Sequence, residues 1–267
     1  MIDYVLIPTL GRVDKQKTFK NLPDYLREKA YLVVQDQEFD DHYELYGRNV
    51  IRLPKEIKDI ERTREWIHGN FGGQVYLMLD DDLRFFVRQH KSKDPEGKWK
   101  KADMTEQDWK DWEEWAQARF DEGCVLCGMD TTNNPPMENA WPTRYNSRMI
   151  TCFLWNGKAQ WKPKCTWMGM KWAEDMHFTL QYLTAGYSCA KSTKWVVYYG
   201  AAQTKGGCST QRTLVAYNIA MERFEKRWPN YVKIKPTKQK GGAWKGQDQN
   251  KVRVSWRKAW LDGQTKK

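Results

Sequence analysis

The sequence predicts an α/β fold with a largely parallel central sheet flanked by helices, followed by a basic C-terminal extension. Short β-prone runs alternate with segments of helical apolar spacing from the N-terminus onward, the order that builds parallel sheets. One of these runs, Val75-Tyr-Leu-Met-Leu79, leads directly into Asp80-Asp81-Asp82, as expected of a buried strand that delivers carboxylates to a sheet edge. The basic excess lies at the C-terminal end: residues 226–267 hold thirteen Lys and Arg against Asp248 and Asp262, a difference equal to the net charge of +11 for the whole chain. The remainder is balanced.

Tyr4-Val-Leu-Ile7 is the first strand, and Pro8-Thr9-Leu10-Gly11-Arg12 is the turn-rich loop that opens toward a helix. Lys17 to Lys29 reads as helical through Phe19, Leu22 and Leu26, with Pro23 placed to split it in two. Tyr31-Leu-Val-Val34 is a second strand, closed by Gln35, Asp36 and Glu38, and Asn49 to Leu53 a short third one. From Asp59 a helix is expected with Ile60, Thr63, Trp66 and Ile67 inward and Arg62 and Arg64 on other faces. The acidic strand follows, and then a polar, basic loop from Lys91 to Lys101. Thr105-Glu106-Gln107-Asp108 resembles a capping box ahead of a helix to Phe120, whose stripe of Trp109, Trp112, Trp115 and Ala116 reads as core. Cys124 to Met129 is a strand and Asp130 to Asn146 an irregular connection. Arg148 to Trp155, Asn156-Gly157 and Lys158 to Trp161 read as a β-hairpin. A helix opens at Trp172 and ends near Ala185-Gly186, Lys194 to Tyr199 is a last strand, and Gln211 to Arg227 is a helix. Lys205-Gly206-Gly207-Cys208-Ser209 is a loop that could cradle a phosphate.

A chain of 267 residues suits one domain with an appendage, divided here as 1–225 and 226–267. The positive charge points to a polyanionic partner, nucleic acid before membrane. No apolar run is long enough for a bilayer and the N-terminus lacks signal-peptide features, so a cytoplasmic monomer with no membrane partner is expected. Six scattered cysteines do not resemble a disulfide framework. Cys124 and Cys127, in a strand, should point to opposite faces, which argues against zinc and for buried free thiols.

Chemistry concentrates at two places. In an extended backbone Asp80 and Asp82 share one side, suited to a hard divalent cation, Mn²⁺ or Mg²⁺, while Asp81 points the other way. Arg62 or Arg64, just before the acidic strand, could reach a diphosphate. Glu174 and Asp175 occupy the first turn of a helix, where the helix dipole favours negative charge. In the basic C-terminal region and just before it, Lys205, Arg212, Lys238, Lys240, Trp244, Lys245, Arg253, Trp256 and Arg257 have the mixture of cations and aromatics that suits nucleic acid.

Together, Ile7-Pro-Thr-Leu-Gly-Arg12, Asp80-Asp-Asp82 and Glu174-Asp175 ahead of a helix ending in Ala-Gly-Tyr187 resemble the GT-A family of nucleotide-sugar glycosyltransferases. The chain is most similar to the bacteriophage TET-associated glycosyltransferases, which glycosylate 5-hydroxymethylpyrimidines in DNA. The resemblance spans roughly residues 3–200. It implies a GT-A, Rossmann-like sheet and a nucleotide-sugar donor, with a UDP-sugar foremost. Thr9, Gly11 and Arg12, with Asp36 or Glu38, would meet the nucleoside, and Arg62 or Arg64 the diphosphate. Asp80 and Asp81 would meet the ribose and sugar, and Asp80 and Asp82 the metal. Asp175, with Glu174 beside it, would take the proton from the acceptor hydroxyl. Many GT-A members use a late histidine as a metal ligand; here none follows His177, so either His177 serves or water and donor complete the shell. The acceptor would be duplex DNA with its 5-hydroxymethylcytosine flipped or distorted, Trp141 or Trp167 replacing the lost stacking, and the setting a phage-infected host cytoplasm. Two other readings remain open: the same chemistry on a glycan or protein acceptor, and a Mg²⁺-dependent nucleic-acid-binding or nuclease-like protein.

Overall fold

Buried β-branched and aliphatic runs set the centre of the sheet. In the computed structural model, which describes residues 1–89, 100–134, 142–159, 164–200, 212–241 and 244–266, β1 (Tyr4–Thr9) and β4 (Val75–Leu79) are almost wholly buried. They lie side by side and parallel, with β2 (Ala30–Val34) and β3 (Val50–Arg52) continuing outward from β1. Beyond β4 come β9 (Cys152–Asn156), β7 (Cys124–Thr131), β10 (Ser188–Tyr198), β5 (Arg84–Gln89) and β6 (Lys100–Asp103), with the two-residue β8 (Arg144–Tyr145) against β10. Apart from β9 and β5, the strands of the main path run the same way, so the sheet is mostly parallel, as the alternating sequence pattern predicts.

The helices expected from the sequence agree closely with their signals; α3 (Phe39–Tyr46) and α8 (Trp256–Gln264) are not among them. Pro23 divides α1 (Lys17–Asn21) from α2 (Asp24–Arg27). Asp59 caps α4 (Ile60–Phe71) by accepting from the Arg62 amide at 2.9 Å. Thr105 and Asp108 form a reciprocal capping box on α5 (Glu106–Asp121), which buries Trp109, Trp112, Ala116 and Phe120 against the sheet. The remaining helices are α3 (Phe39–Tyr46), α6 (Glu174–Thr184), α7 (Leu214–Arg227) and α8 (Trp256–Gln264).

Several expectations are corrected. The hairpin about Asn156-Gly157 does not form as expected: β9 is paired on both edges, by β4 and by β7, so no edge remains for a returning arm at Leu154 and Trp155. Residues 160–163 of that arm lie outside the described residues, as do most of the Lys91–Lys101 loop, part of the Asp130–Asn146 connection including Trp141, and the loop carrying Lys205. The Lys194–Tyr199 strand begins earlier, at Ser188, and is not the last. Cys124 and Cys127 do not face opposite sides. Ser188 pairs with Cys124 but Cys189 with Leu126, a bulge that resets the alternation and puts both thiols in one core cluster. The five cysteines among the described residues are free, and burial pushes the thiols of Cys124, Cys152 and Cys165 up to about 12.

The basic C-terminal residues are folded onto the body. β11 (Val232–Lys238) and β12 (Asp248–Val254) form an antiparallel ribbon, and α8 packs on α6. Trp260 Nε1 donates to Ser188 Oγ at 3.0 Å, and Gln264 Nε2 to the Gly186 carbonyl at 2.7 Å. Gly263 allows the close approach: a Cβ there would lie 2.3 Å from the Leu183 carbonyl oxygen and 2.6 Å from the Gly186 nitrogen, both backbone. Gly263→Ala should therefore destabilise the protein by about 1–3 kcal/mol through overpacking. A thermal melt unchanged from wild type would show that α8 does not bear on the body.

Candidate active site

The ends of β1 and β4, the first turns of α4 and α6, the segment before β9, α7 and β12 enclose a cavity of about 520 Å³, within the range of small-ligand sites. Its organising group is Arg64. The side chain projects inward from α4, 7% exposed, with NH2 2.9 Å from Asp80 Oδ1 and NH1 3.0 Å from Glu174 Oε1. Its guanidinium carbon lies 5.4 Å from the Phe153 ring centre and 5.2 Å from that of Trp167. Two carboxylates from distant parts of the chain thus share one buried cation. Desolvation still dominates at Asp80 and pushes its carboxyl up to about 6, with Arg64 pulling it down and Asp82 and Asp81 raising it further. Burial likewise raises Glu174, again opposed by Arg64.

A second clamp orders the β1 loop. Thr9 Oγ1 donates to Asp81 Oδ2 at 2.7 Å, and Arg12 NH1 pairs with Asp81 Oδ1 and, at 3.2 Å, with Asp82 Oδ2. The expectation that Asp81 points away from Asp80 and Asp82 fails. β4 ends at Leu79, so the three aspartates lie in a turn, where period-two alternation no longer applies, and all three line the cavity. Asp175 is held by Arg148, whose Nε and NH2 donate to Oδ2 at 3.0 and 2.7 Å, while Oδ1 accepts from the Met176 amide at 2.7 Å. Glu174 Oε2 is buried without a hydrogen-bond partner among the described residues.

Thr9, Arg12, Arg64, Asp80, Asp81, Asp82, Glu174, Asp175 and Arg212 therefore meet at one cavity. Others named from the sequence do not. Both Glu38 oxygens accept from the Gly11 amide, at 2.8 and 2.9 Å, so these two residues brace the loop. Asp36 pairs with Arg52, and the exposed Arg62 lies near its own cap residue, Asp59. His177 is off the cavity: its Nδ1 accepts from Trp228 Nε1 at 2.9 Å, and burial lowers its pKa to about 4, keeping it neutral as that acceptor. Trp167 cannot replace a flipped base, being 1% exposed and stacked 4.1 Å from Phe178. Of the C-terminal residues, Lys238, Lys240, Lys245, Arg253 and Arg257 are exposed, Trp256 is half-buried, and Trp244 lies 5.6 Å from the Tyr217 ring.

The sequence reading missed Arg148, Thr151, Trp172, Tyr217, Gln249 and Lys251 on the cavity wall. Thr151 and Trp172 have φ of 60° and 67°, a conformation costly for bulky residues and concentrated at functional sites. No residue-type signal announces that strain. Arg212 lies 4.9 Å over the Trp172 ring and, with Lys251, forms no ion pair among the described residues. For a divalent cation the donor chemistry fits in part. Asp80 and Asp82 are hard oxygen donors beside one another, but no group of three or more His, Cys, Asp or Glu among the described residues could hold a metal by itself. Two carboxylates completed by phosphate oxygens and water is a common arrangement for Mg²⁺.

The model of the TET-associated glycosyltransferase family matches residues 4–208 of this chain. Two relatives, the beta-glucosyl-HMC-alpha-glucosyl-transferases of Enterobacteria phages T2 and T6, are each 25% identical over 240 residues, covering 88% of this chain and 84% of the relative.

Arg64→Ala should destabilise the protein by about 2–4 kcal/mol, because the buried Glu174 and the half-buried Asp80 lose their cation, whereas Arg62→Ala should stay within about 0.5 kcal/mol; equal denaturant midpoints for the two variants would refute the bridge. Burial, with Glu174 nearby, pushes Glu61 up to about 7 from an ordinary 4.5. The folded state then binds the proton more tightly than the unfolded chain, so stability falls as pH rises from about 4.5 to about 7 and levels above it. Melting temperatures of Glu61→Gln should exceed those of wild type by a margin that widens between pH 5 and pH 7.5.

Proposed function

Because the chain belongs to the TET-associated glycosyltransferase family, and is therefore a glycosyltransferase, we propose that it moves a sugar from a nucleotide-sugar donor to a hydroxymethylated pyrimidine, 5-hydroxymethylcytosine, in phage DNA. The observation that carries this reading is the union in one cavity of the Asp80-Asp81-Asp82 turn and the Glu174-Asp175 turn. The names of the phage T2 and T6 relatives favour a second form of the acceptor, a hydroxyl on a glucose already borne by the base.

In this reading the donor lies along the ends of β1 and β4, and Asp80 and Asp82 would hold Mn²⁺ or Mg²⁺. When bound, the cation offsets the negative charge that grows on the leaving nucleoside diphosphate. Arg64 is committed to Asp80 and Glu174, so the diphosphate role expected of it passes to Arg212, which reaches the cavity over Trp172. Thr9 and Arg12 fix Asp81, and through it the turn, rather than contacting the nucleoside directly. Asp175 takes the acceptor proton as the sugar carbon becomes cationic, with Arg148 orienting the carboxylate. A UDP-sugar is the donor expected first.

Incubation with a panel of nucleotide sugars, Mn²⁺ and duplexes containing 5-hydroxymethylcytosine or its β-glucosylated form, followed by digestion to nucleosides and mass spectrometry, tests the reading. A sugar-shifted nucleoside is expected with at least one donor, and none with any donor defeats it. Asp80→Ala and Asp82→Ala should abolish the dependence on Mn²⁺ together with most activity, and His177→Asn should leave that dependence intact. Asp175→Asn should lower kcat about 10²–10⁴-fold, the usual contribution of general-base catalysis. Full kcat in Asp175→Asn alongside a comparable loss in Glu174→Gln would move the base to Glu174.

A further inference from the structure

The β11–β12 ribbon has two chemically distinct faces. Its register sets Lys233 opposite Arg253, Lys235 opposite Lys251 and Thr237 opposite Gln249. Residues directly opposite in an antiparallel pair project to the same side, and so do residues two apart along a strand. One face therefore carries Lys233, Lys235, Thr237, Gln249, Lys251 and Arg253. All four cations are exposed, no acidic residue shares the face, and none of the four forms an ion pair among the described residues. The other face carries Val232, Ile234, Val252 and Val254, which belong to or pack against the core cluster below.

Like charges set directly opposite across a ribbon repel one another. Lys235 against Lys251 and Lys233 against Arg253 stabilise nothing in the isolated fold. Elsewhere on the ribbon the ordinary arrangement holds, with Lys238 opposite Asp248. The basic face also continues into the active site, because Gln249 and Lys251 line the cavity that the aspartate turn lines. The ribbon is seated rigidly: the Asn250 amide donates to Asn218 Oδ1 on α7 at 2.8 Å, and the Ile234 amide to Glu225 Oε1 at 3.1 Å. It lies wholly beyond residues 4–208, the span of the family match.

We propose that the outer face of the β11–β12 ribbon is the docking surface for duplex DNA, with Lys233, Lys235 and Arg253 on backbone phosphates and Lys251 at the cavity mouth beside the nucleotide being modified. This deepens the proposed function and rests on its DNA acceptor. A two-stranded ribbon has the dimensions to lie along a groove of the duplex. Its row of exposed cations matches a phosphate backbone, and contacts of that kind fix register without reading sequence. The residues named from sequence alone, Lys238, Lys240 and Lys245, fall outside this face; Arg253 falls on it.

The test compares the intact protein with a ribbon variant, Lys233→Gln, Lys235→Gln and Arg253→Gln together, and with a control of equal charge change, Lys29→Gln, Lys101→Gln and Lys110→Gln. Binding of a fluorescein-labelled 20-base-pair duplex is followed by anisotropy across a salt series. Removing one cation from a phosphate flattens the slope of log K against log salt by about 0.9. The ribbon variant should therefore bind with a slope shallower by about two to three and with a raised KM for DNA, while keeping the melting temperature and acceptor-free donor hydrolysis of wild type; the control should keep the wild-type slope. An unchanged slope in the ribbon variant, or equal flattening in both variants, overturns the proposal. Failure of the wild-type protein to modify any duplex while still binding it with a ribbon-dependent slope would count against the sugar-transfer reading and leave the docking surface standing.

Discussion

The cavity depends on one buried guanidinium. Asp80 and Glu174 come from turns far apart in the chain, and in a desolvated site two carboxylates repel each other unless a cation stands between them. Arg64 supplies that cation on a helix whose first turn is fixed by the Asp59 cap, packed against two adjoining aromatic rings. The arrangement is no net gain in stability, since an apolar group of similar volume would often pack as well. Its effect is positional: Asp80 and Glu174 are both held to one guanidinium.

Around that bridge the other charged groups are arranged in pairs of the same kind. Arg12 holds Asp81 and Asp82, and Arg148 holds Asp175. Such pairing limits which groups can meet a ligand by charge. Arginines engaged with carboxylates have little capacity left for phosphate, whereas Arg212 and Lys251, which also line the cavity, form no ion pair among the described residues. The cavity therefore joins carboxylates already paired with arginines to two cations, one just before α7 and one on β12, that are not.

The alignment with the phage relatives covers 88% of this chain and so runs on past the span of the family match. The family match ends at residue 208, and the basic wall begins at Arg212 and finishes in the ribbon. The cavity's carboxylates sit where β4 ends and where α6 begins. α7 and β12 supply Tyr217, Gln249 and Lys251 to the cavity wall, and α8 is held against the body by the Gly263 contact and the Trp260 and Gln264 hydrogen bonds.

The sequence by itself determined the local elements and the identity of most acidic groups. Alternation and helical spacing located β1, β2, β4, β7 and the main helices, because these signals depend only on which side of an element is buried. Asp80-Asp81-Asp82 and Glu174-Asp175 were legible because carboxylates at element ends are conspicuous. The tertiary structure alone decided pairing. Nothing local in the sequence says that β9 inserts between β4 and β7, that a bulge turns Cys124 and Cys127 to one side, or that Arg64 faces inward while Arg62 faces out. Nor could it show that the basic C-terminal residues form a wall of the cavity. Each of these follows from contacts between segments distant in the chain, and those contacts are energetically decided only when the whole core is assembled.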